Sequence, residues 1–198
     1  MNQQILFNLL ESAGVPQNLK SVEFACIADE PYKEQFLKYL KNYGEAESGG
    51  YGLYLWSRNN LSGKSSLGVL VLKNALYKRR SVYYAFTSDI QKYLIDKTRD
   101  DYGDSIITKI FTSHYLVLDN FGEGMISEYL KWQIKDLIEK RKAHLCPTII
   151  VSKLMPKDIK IAFNQEVADT ISKCCFPMEI TGEHWKTLNS DNMKKLFI

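Results

Sequence analysis

Little in this chain suits a membrane, a disulfide framework or a zinc site. No apolar run approaches the roughly 20 residues that a membrane span needs. The first residues, MNQQILFNLLESAGVP, lack the basic start, long apolar core and small-residue cleavage site of a secretory signal. Cysteines number four: Cys26, Cys146, Cys174 and Cys175. Only the last two are close, and sequence neighbours bridge under strain. No CxxC or Cys/His metal spacing occurs. The pattern reads as free thiols in a reducing cytoplasm. Five prolines and eleven glycines are too few for a linker-rich chain. A net charge of +3 is too small to argue for nucleic acid, though it permits a local basic patch.

The remainder is ordinary globular material. The 198 residues are 45% hydrophobic and 25% charged, which excludes a disordered or collagen-like chain. Helical spacing covers 3–12, closed by Gly14 and Pro16, and again 32–43. The second helix carries Tyr32, Phe36, Leu37, Tyr39, Leu40 and Tyr43 on or near one face. That face packs on a core or docks a partner. Gly44–Gly52 holds four glycines and reads as a linker, placing a boundary between an extension at 1–49 and a main domain at 50–198.

Beyond that boundary strands and helices alternate. Strands are expected at 52–56, 81–86, 114–119, 147–152 and 177–180. Helices are expected at 63–78, 88–97, 104–112, 125–143 and 157–173, the last broken near Asn164. This alternation predicts an α/β domain with a central, mainly parallel sheet flanked by helices. The apolar strands fit a sheet covered on both faces. Ligands of such sheets bind where the strands end.

After the first strand comes Ser57-Arg58-Asn59-Asn60-Leu61-Ser62-Gly63-Lys64-Ser65-Ser66. It fits the phosphate-loop pattern GxxxxGK[ST] except that Arg58 stands at the first glycine. In such loops backbone N–H groups and the helix N-terminus hold phosphate oxygens. Asn60, Leu61, Ser62, Gly63, Lys64, Ser65 and Ser66 are therefore the candidate nucleotide-binding residues. Lys64 would reach the β- and γ-phosphates, and Ser65 would ligate Mg²⁺. The run Leu116-Val117-Leu118-Asp119 has the Walker B form, with Asp119 as the second magnesium residue. Lys64, Asp119 and Asn120 are the catalytic candidates. Asn120 stands where many ATPases have a second acid, and an amide orients water without accepting its proton. Glu123 substitutes only if the turn aims it inward. Ser152 and Lys153, after the 147–152 strand, are sensor-like candidates beside the γ-phosphate; Lys153 otherwise reads as a lysine snorkelling from a strand end.

Taken in order, these segments resemble the DnaC/IstB-type AAA+ ATPases, particularly phage- and plasmid-borne relatives of replicative helicase loaders. The likeness runs from about 12 to 186. It includes Ala13-Gly14-Val15-Pro16, the Gly52–Ser57 strand, Gly63-Lys64-Ser65 and Leu118-Asp119-Asn120-Phe121-Gly122-Glu123. Arg141, Pro147-Thr148-Ile149-Ile150-Val151-Ser152 and Thr181-Gly182-Glu183-His184-Trp185-Lys186 complete it. The sequence departs from the family at Leu61, Asn120, Lys153 and Lys186. The 156–175 stretch, where an arginine finger would be sought, contains no arginine.

The resemblance implies a P-loop NTPase fold of the AAA+ type with a short helical N-terminal extension. It implies ATP or ADP with Mg²⁺ as ligands, and a replicative DNA helicase or its loader as partner. Single-stranded DNA and further copies of the chain are additional expected partners, and the cytoplasm is the expected location. Arg141 is a candidate contact to a neighbouring subunit's phosphate, or a charge suited to its helix C-terminus. The altered positions point to weak or partner-dependent hydrolysis. Other readings are a hydrolysis-poor adaptor or inhibitor of a helicase or loader, and an IstB-type transposition accessory ATPase. A nucleotide kinase is disfavoured by the poor supply of His and Arg after 141. The basic run at 78–80 is a solvated loop or a contact for DNA phosphates.

Overall fold

A computed structural model describes residues 1–27, 31–95 and 101–181. Helix α1 (Gln3–Ser12) starts at Asn2, whose side chain accepts from the Gln4 amide at 3.0 Å. Its apolar spacing buries Leu6 and Leu10. Helix α2 (Tyr32–Lys41) buries Tyr32 and Phe36, which settles this face as a packing face at those two residues.

The glycine-containing stretch expected as a linker is instead largely helical: α3 spans Tyr43–Ser48. Helix-favouring Glu45, Ala46 and Glu47 continue the turn, and burial of Tyr43 and Ala46 anchors it.

Among the described residues five strands follow: β1 (Gly52–Trp56), β2 (Val82–Phe86), β3 (Tyr115–Phe121), β4 (Thr148–Ser152) and β5 (Cys175–Glu179). Their order is β2-β3-β4-β1-β5, and every neighbouring pair is parallel. Helices α4 (Lys64–Tyr77), α5 (Thr87–Ile90), α6 (Asp101–Thr112), α7 (Glu128–Ala143), α8 (Ile159–Ala162) and α9 (Gln165–Cys174) fill the connections. A π-helical stretch, Gln91–Ile95, follows α5 directly. Asn164 caps α9 by accepting from the Val167 amide at 2.9 Å, which is why the 157–173 segment divides there.

Strand side chains alternate between two buried clusters, as the pleat requires. Leu53, Leu55, Tyr84, Val117, Ile149 and Val151 face α4. Tyr54, Ala85, Leu116, Leu118 and Ile150 face the layer of α6, α7 and α9. Residues 66–73 of α4 are all buried because α1, α2 and α3 share the cluster on its side of the sheet. The described residues of the first 49 thus contribute to the same core as the sheet. Complete burial of Phe36 alone contributes about 2 kcal/mol or more.

Arg141 organises the end of the sheet where β3 and β4 begin. Its side chain is fully buried. Nε donates to Thr148 Oγ1 at 2.9 Å, Nη1 to the Ile110 and Ser113 carbonyls at 2.9 Å, and Nη2 to the Pro147 carbonyl at 3.0 Å. Arg141 is thus a buried structural residue and not the expected contact to another subunit's phosphate. Every arm of the guanidinium is directed inward, and it lies at the opposite end of the strands from the loop at 57–63. Burial pulls its pKa down to about 10, which leaves it charged at neutral pH.

Candidate functional site

The site forms where β1, β3 and β4 end. Pairing of Trp56 with Ser152, and of Phe121 with Ser152, brings the three carboxyl ends level. Because β4 lies between β1 and β3, the residues that follow it sit between the 57–63 loop and Asp119.

The loop leaves β1 with the Ser57 amide donating to the Ser152 carbonyl at 3.2 Å. Arg58 turns outward, its side chain 70% exposed and 3.9 Å from Asp158. Leu61 and Gly63 then take left-handed conformations, φ 58° and 90°. Glycine adopts this region freely, while leucine does so at a cost of about 1 kcal/mol. Helix α4 begins immediately afterwards, so its first amides lack partners within the helix and lie at the pocket.

Lys64 is 8% exposed. Its ammonium donates to the Asn59 carbonyl at 2.9 Å and to Ser62 Oγ at 3.0 Å, lying in the loop's own concavity. Burial holds its pKa below the ordinary value; the Asp119 carboxylate opposes this, and the nearby Lys153 charge adds to it.

Asp119 is buried at the end of β3. Its Oδ1 accepts from the Asn120 amide at 2.8 Å, and its Oδ2 accepts from the Tyr84 hydroxyl. Thr87 donates to the Asp119 carbonyl at 3.1 Å, so β2 and the start of α5 fix the acid from one side. Burial, and secondarily the Asp119 charge, push the Tyr84 phenol well above its usual range.

The remaining predicted residues occupy the other side. Asn120 is exposed, with φ 55°, a conformation that asparagine tolerates better than most residues. Ser152 is buried, its hydroxyl donating to the Phe121 carbonyl at 2.6 Å and accepting from the Leu154 amide at 3.0 Å. Lys153 pairs with Glu123 at 2.8 Å. Glu123 is therefore turned toward a lysine.

Two adjoining cavities share Leu61, Lys64, Ser65 and Asp119 in their walls. One, of about 290 Å³, is completed by Pro16, Leu19, Tyr84 and Phe86. The other, of about 280 Å³, is completed by Asn60, Asn120, Glu123, Ser152 and Lys153. The motif reading missed the first set. The tyrosines of β2 gave the signal, because alternate strand residues share a face and β2 adjoins the acid-bearing strand.

The donor chemistry suits a magnesium–phosphate group. Ser65 and Asp119 offer hard oxygens for the cation, and the loop amides and Lys64 offer donors for an anion. Among the described residues no cluster of three or more His, Cys, Asp or Glu suits a metal on its own. The basic run lies at the far end of α4. There Arg80 pairs with Glu47 at 2.7 Å, and Lys78 lies 4.5 Å from the centre of the Tyr43 ring. Residues 182–186, the last part of the family likeness, lie outside the described residues.

The fold is that of AAA+ P-loop domains: five parallel strands in this order, flanked by helices, with a short helical N-terminal segment. The chain matches the crystal structure of DnaI with a TM-score of 0.71 at 17% identity, over 84% of this chain and 94% of that one. It matches the DnaC helicase loader with a TM-score of 0.70 at 20% identity, over 84% of this chain and all of that one. The replication initiator DnaA bound to AMPPCP and single-stranded DNA gives 0.66 at 12% identity, over 87% of this chain and 54% of that one. No family model matches the sequence, and no curated protein does. Among the described residues no helix is long and apolar enough to cross a membrane.

Proposed function

We propose that this chain is an ATP-binding AAA+ protein of DNA replication that engages a replicative helicase and assists its loading onto DNA. The observation that carries the nucleotide reading is the convergence of Lys64, Ser65 and Asp119 on one pair of adjoining cavities. ATP or ADP would place its phosphates along residues 60–66. Magnesium, held by Ser65 and Asp119, would neutralise phosphate charge. The Lys64 ammonium would exchange the Asn59 carbonyl and Ser62 hydroxyl for phosphate oxygens. Ser152 would hold the Walker B turn through the Phe121 carbonyl, leaving Lys153 as the sensing group.

The loader reading is supported by the likeness to DnaI and DnaC over nearly their whole lengths. Single-stranded DNA is proposed as a further ligand, since a DnaA of this fold binds it together with a nucleotide analogue. The test is capture of the host's purified replicative helicase with and without ATP, followed by its deposition on single-stranded DNA. A helicase that is retained and deposited only in the presence of ATP supports the reading. A helicase retained in neither condition overturns it.

One feature favours a second reading, a hydrolysis-poor adaptor or inhibitor. The position after Asp119 is an exposed asparagine, and the nearest acid beyond it, Glu123, is paired with Lys153. No carboxylate among these is free to take a proton from an attacking water. Retention of the helicase with ATP, but without deposition on DNA, would select this reading.

A further inference from the structure

Tyr84 stands at the middle of β2, on the face that α4 covers, and is 2% exposed. A core position of this kind asks for an aromatic ring and nothing polar; phenylalanine would fill it. The hydroxyl is instead directed at one specific group. It donates to Asp119 Oδ2, in a cavity whose wall also carries Ser65. These are the two residues proposed to hold magnesium.

The strand carrying Tyr84 is fixed independently of that contact. Its backbone amide donates to the Ala13 carbonyl at 2.8 Å. Gly14 packs so closely that a Cβ there would lie 2.8 Å from the Tyr84 carbonyl oxygen. The ring meets Phe86 edge to face, with centroids 5.6 Å apart. The hydroxyl is therefore held in place by backbone and ring packing from the N-terminal segment and β2.

A carboxylate oxygen that accepts an O–H has committed one of its two lone pairs, and it donates less well to a cation through the other. Magnesium is demanding about geometry and binds these same hard oxygens. We propose that Tyr84 is a positioning residue of the magnesium–nucleotide site that competes with the cation. Its hydroxyl takes up one lone pair of Asp119 Oδ2 and so weakens the hold of that oxygen on the ion. This inference rests on the nucleotide-binding reading above.

The competition is measured as a ratio: ATP affinity in excess magnesium over ATP affinity in EDTA, by calorimetry on the full chain. Tyr84→Phe keeps the ring and removes only the competing donor. A hydrogen bond to a charged group is strong enough that the ratio should rise about tenfold. Tyr84→Met, which also fills the space without a hydroxyl, should raise it in the same direction. Thermal unfolding of both variants without nucleotide reports that they are folded. A ratio that is unchanged or lower in the folded variants, with the wild type binding ATP normally, overturns the competition and leaves the nucleotide site standing. A wild type that binds ATP in neither buffer overturns both.

Discussion

Lys153 holds the Glu123 carboxylate at 2.8 Å, joining the end of β4 to the turn after β3 across the mouth of the proposed phosphate pocket. Both side chains are partly exposed, 47% and 37%, so the pair adds no more than about 1 kcal/mol to stability. Its importance lies in charge placement. Lys153 is close enough to lower the pKa of Lys64, so two ammonium groups act on the same space. Lys153→Ala should reduce the preference for ATP over ADP about threefold to tenfold, with unfolding little changed. Glu123→Gln should increase that preference by releasing the lysine. Calorimetric titration with each nucleotide checks both.

Lys64→Ala should weaken ATP and ADP binding at least about tenfold, by removing a charge-assisted phosphate contact. Its effect on the free protein should have the opposite sense. Burial lowers the Lys64 pKa from its ordinary value of 10.5. Between the depressed value and 10.5 the unfolded chain binds more protons than the folded one, so stability from this group rises with pH in that window. Urea unfolding without nucleotide should show the variant at least as stable as wild type at neutral pH. The variant should also have lost that alkaline rise.

Asn120→Asp should raise steady-state phosphate release, because it restores a carboxylate beside Asp119. Aspartate also tolerates the left-handed backbone found here, φ 55°, so the variant should fold. Phosphate release is measured with and without helicase and single-stranded DNA. Rapid release by the unmodified protein alone, abolished by Lys64→Ala, would show that a carboxylate at 120 is not needed.

Arg141→Ala should destabilise the protein by about 3 kcal/mol or more, since it strands several buried carbonyls at once. Arg141→Lys should recover little, because an ammonium lacks the planar fork that spans Thr148, Ile110 and Pro147. The midpoint of urea unfolding reports both. ATP affinity of the folded variants should be unaffected, because the guanidinium lies at the far end of the sheet from Lys64.

The sheet, and the placing of the 57–66 loop and Asp119 at its strand ends, were legible because the signals are local. Apolar runs ended by turn residues marked every strand, and glycine, lysine and serine at fixed spacing marked the loop. Strand β5 starts two residues earlier than expected because α9 runs straight into it at Cys175. The burial of Arg141 had a signal that its charge concealed. It continues the stripe Leu130, Ile134, Leu137, Ile138 at helical spacing, so it occupies a core position of α7. Composition misled at 44–52, where glycine content outweighed Tyr43 and Ala46, whose contacts are tertiary. The Tyr84–Asp119 bond lies 35 residues apart in sequence, and no local pattern encodes it.

The two outer strands also limit how the molecule can associate. On β2 the Tyr84 amide is already taken by Ala13. On β5 the Ile180 amide donates to Trp56, so alternation directs the nitrogen of Pro177 away from β1. That nitrogen carries no hydrogen to offer. Among the described residues neither margin presents an uninterrupted row of backbone donors, so an incoming strand finds no full template on either side. The helicase proposed as partner would then find its grip on side chains, where single substitutions can retune the fit without touching the sheet.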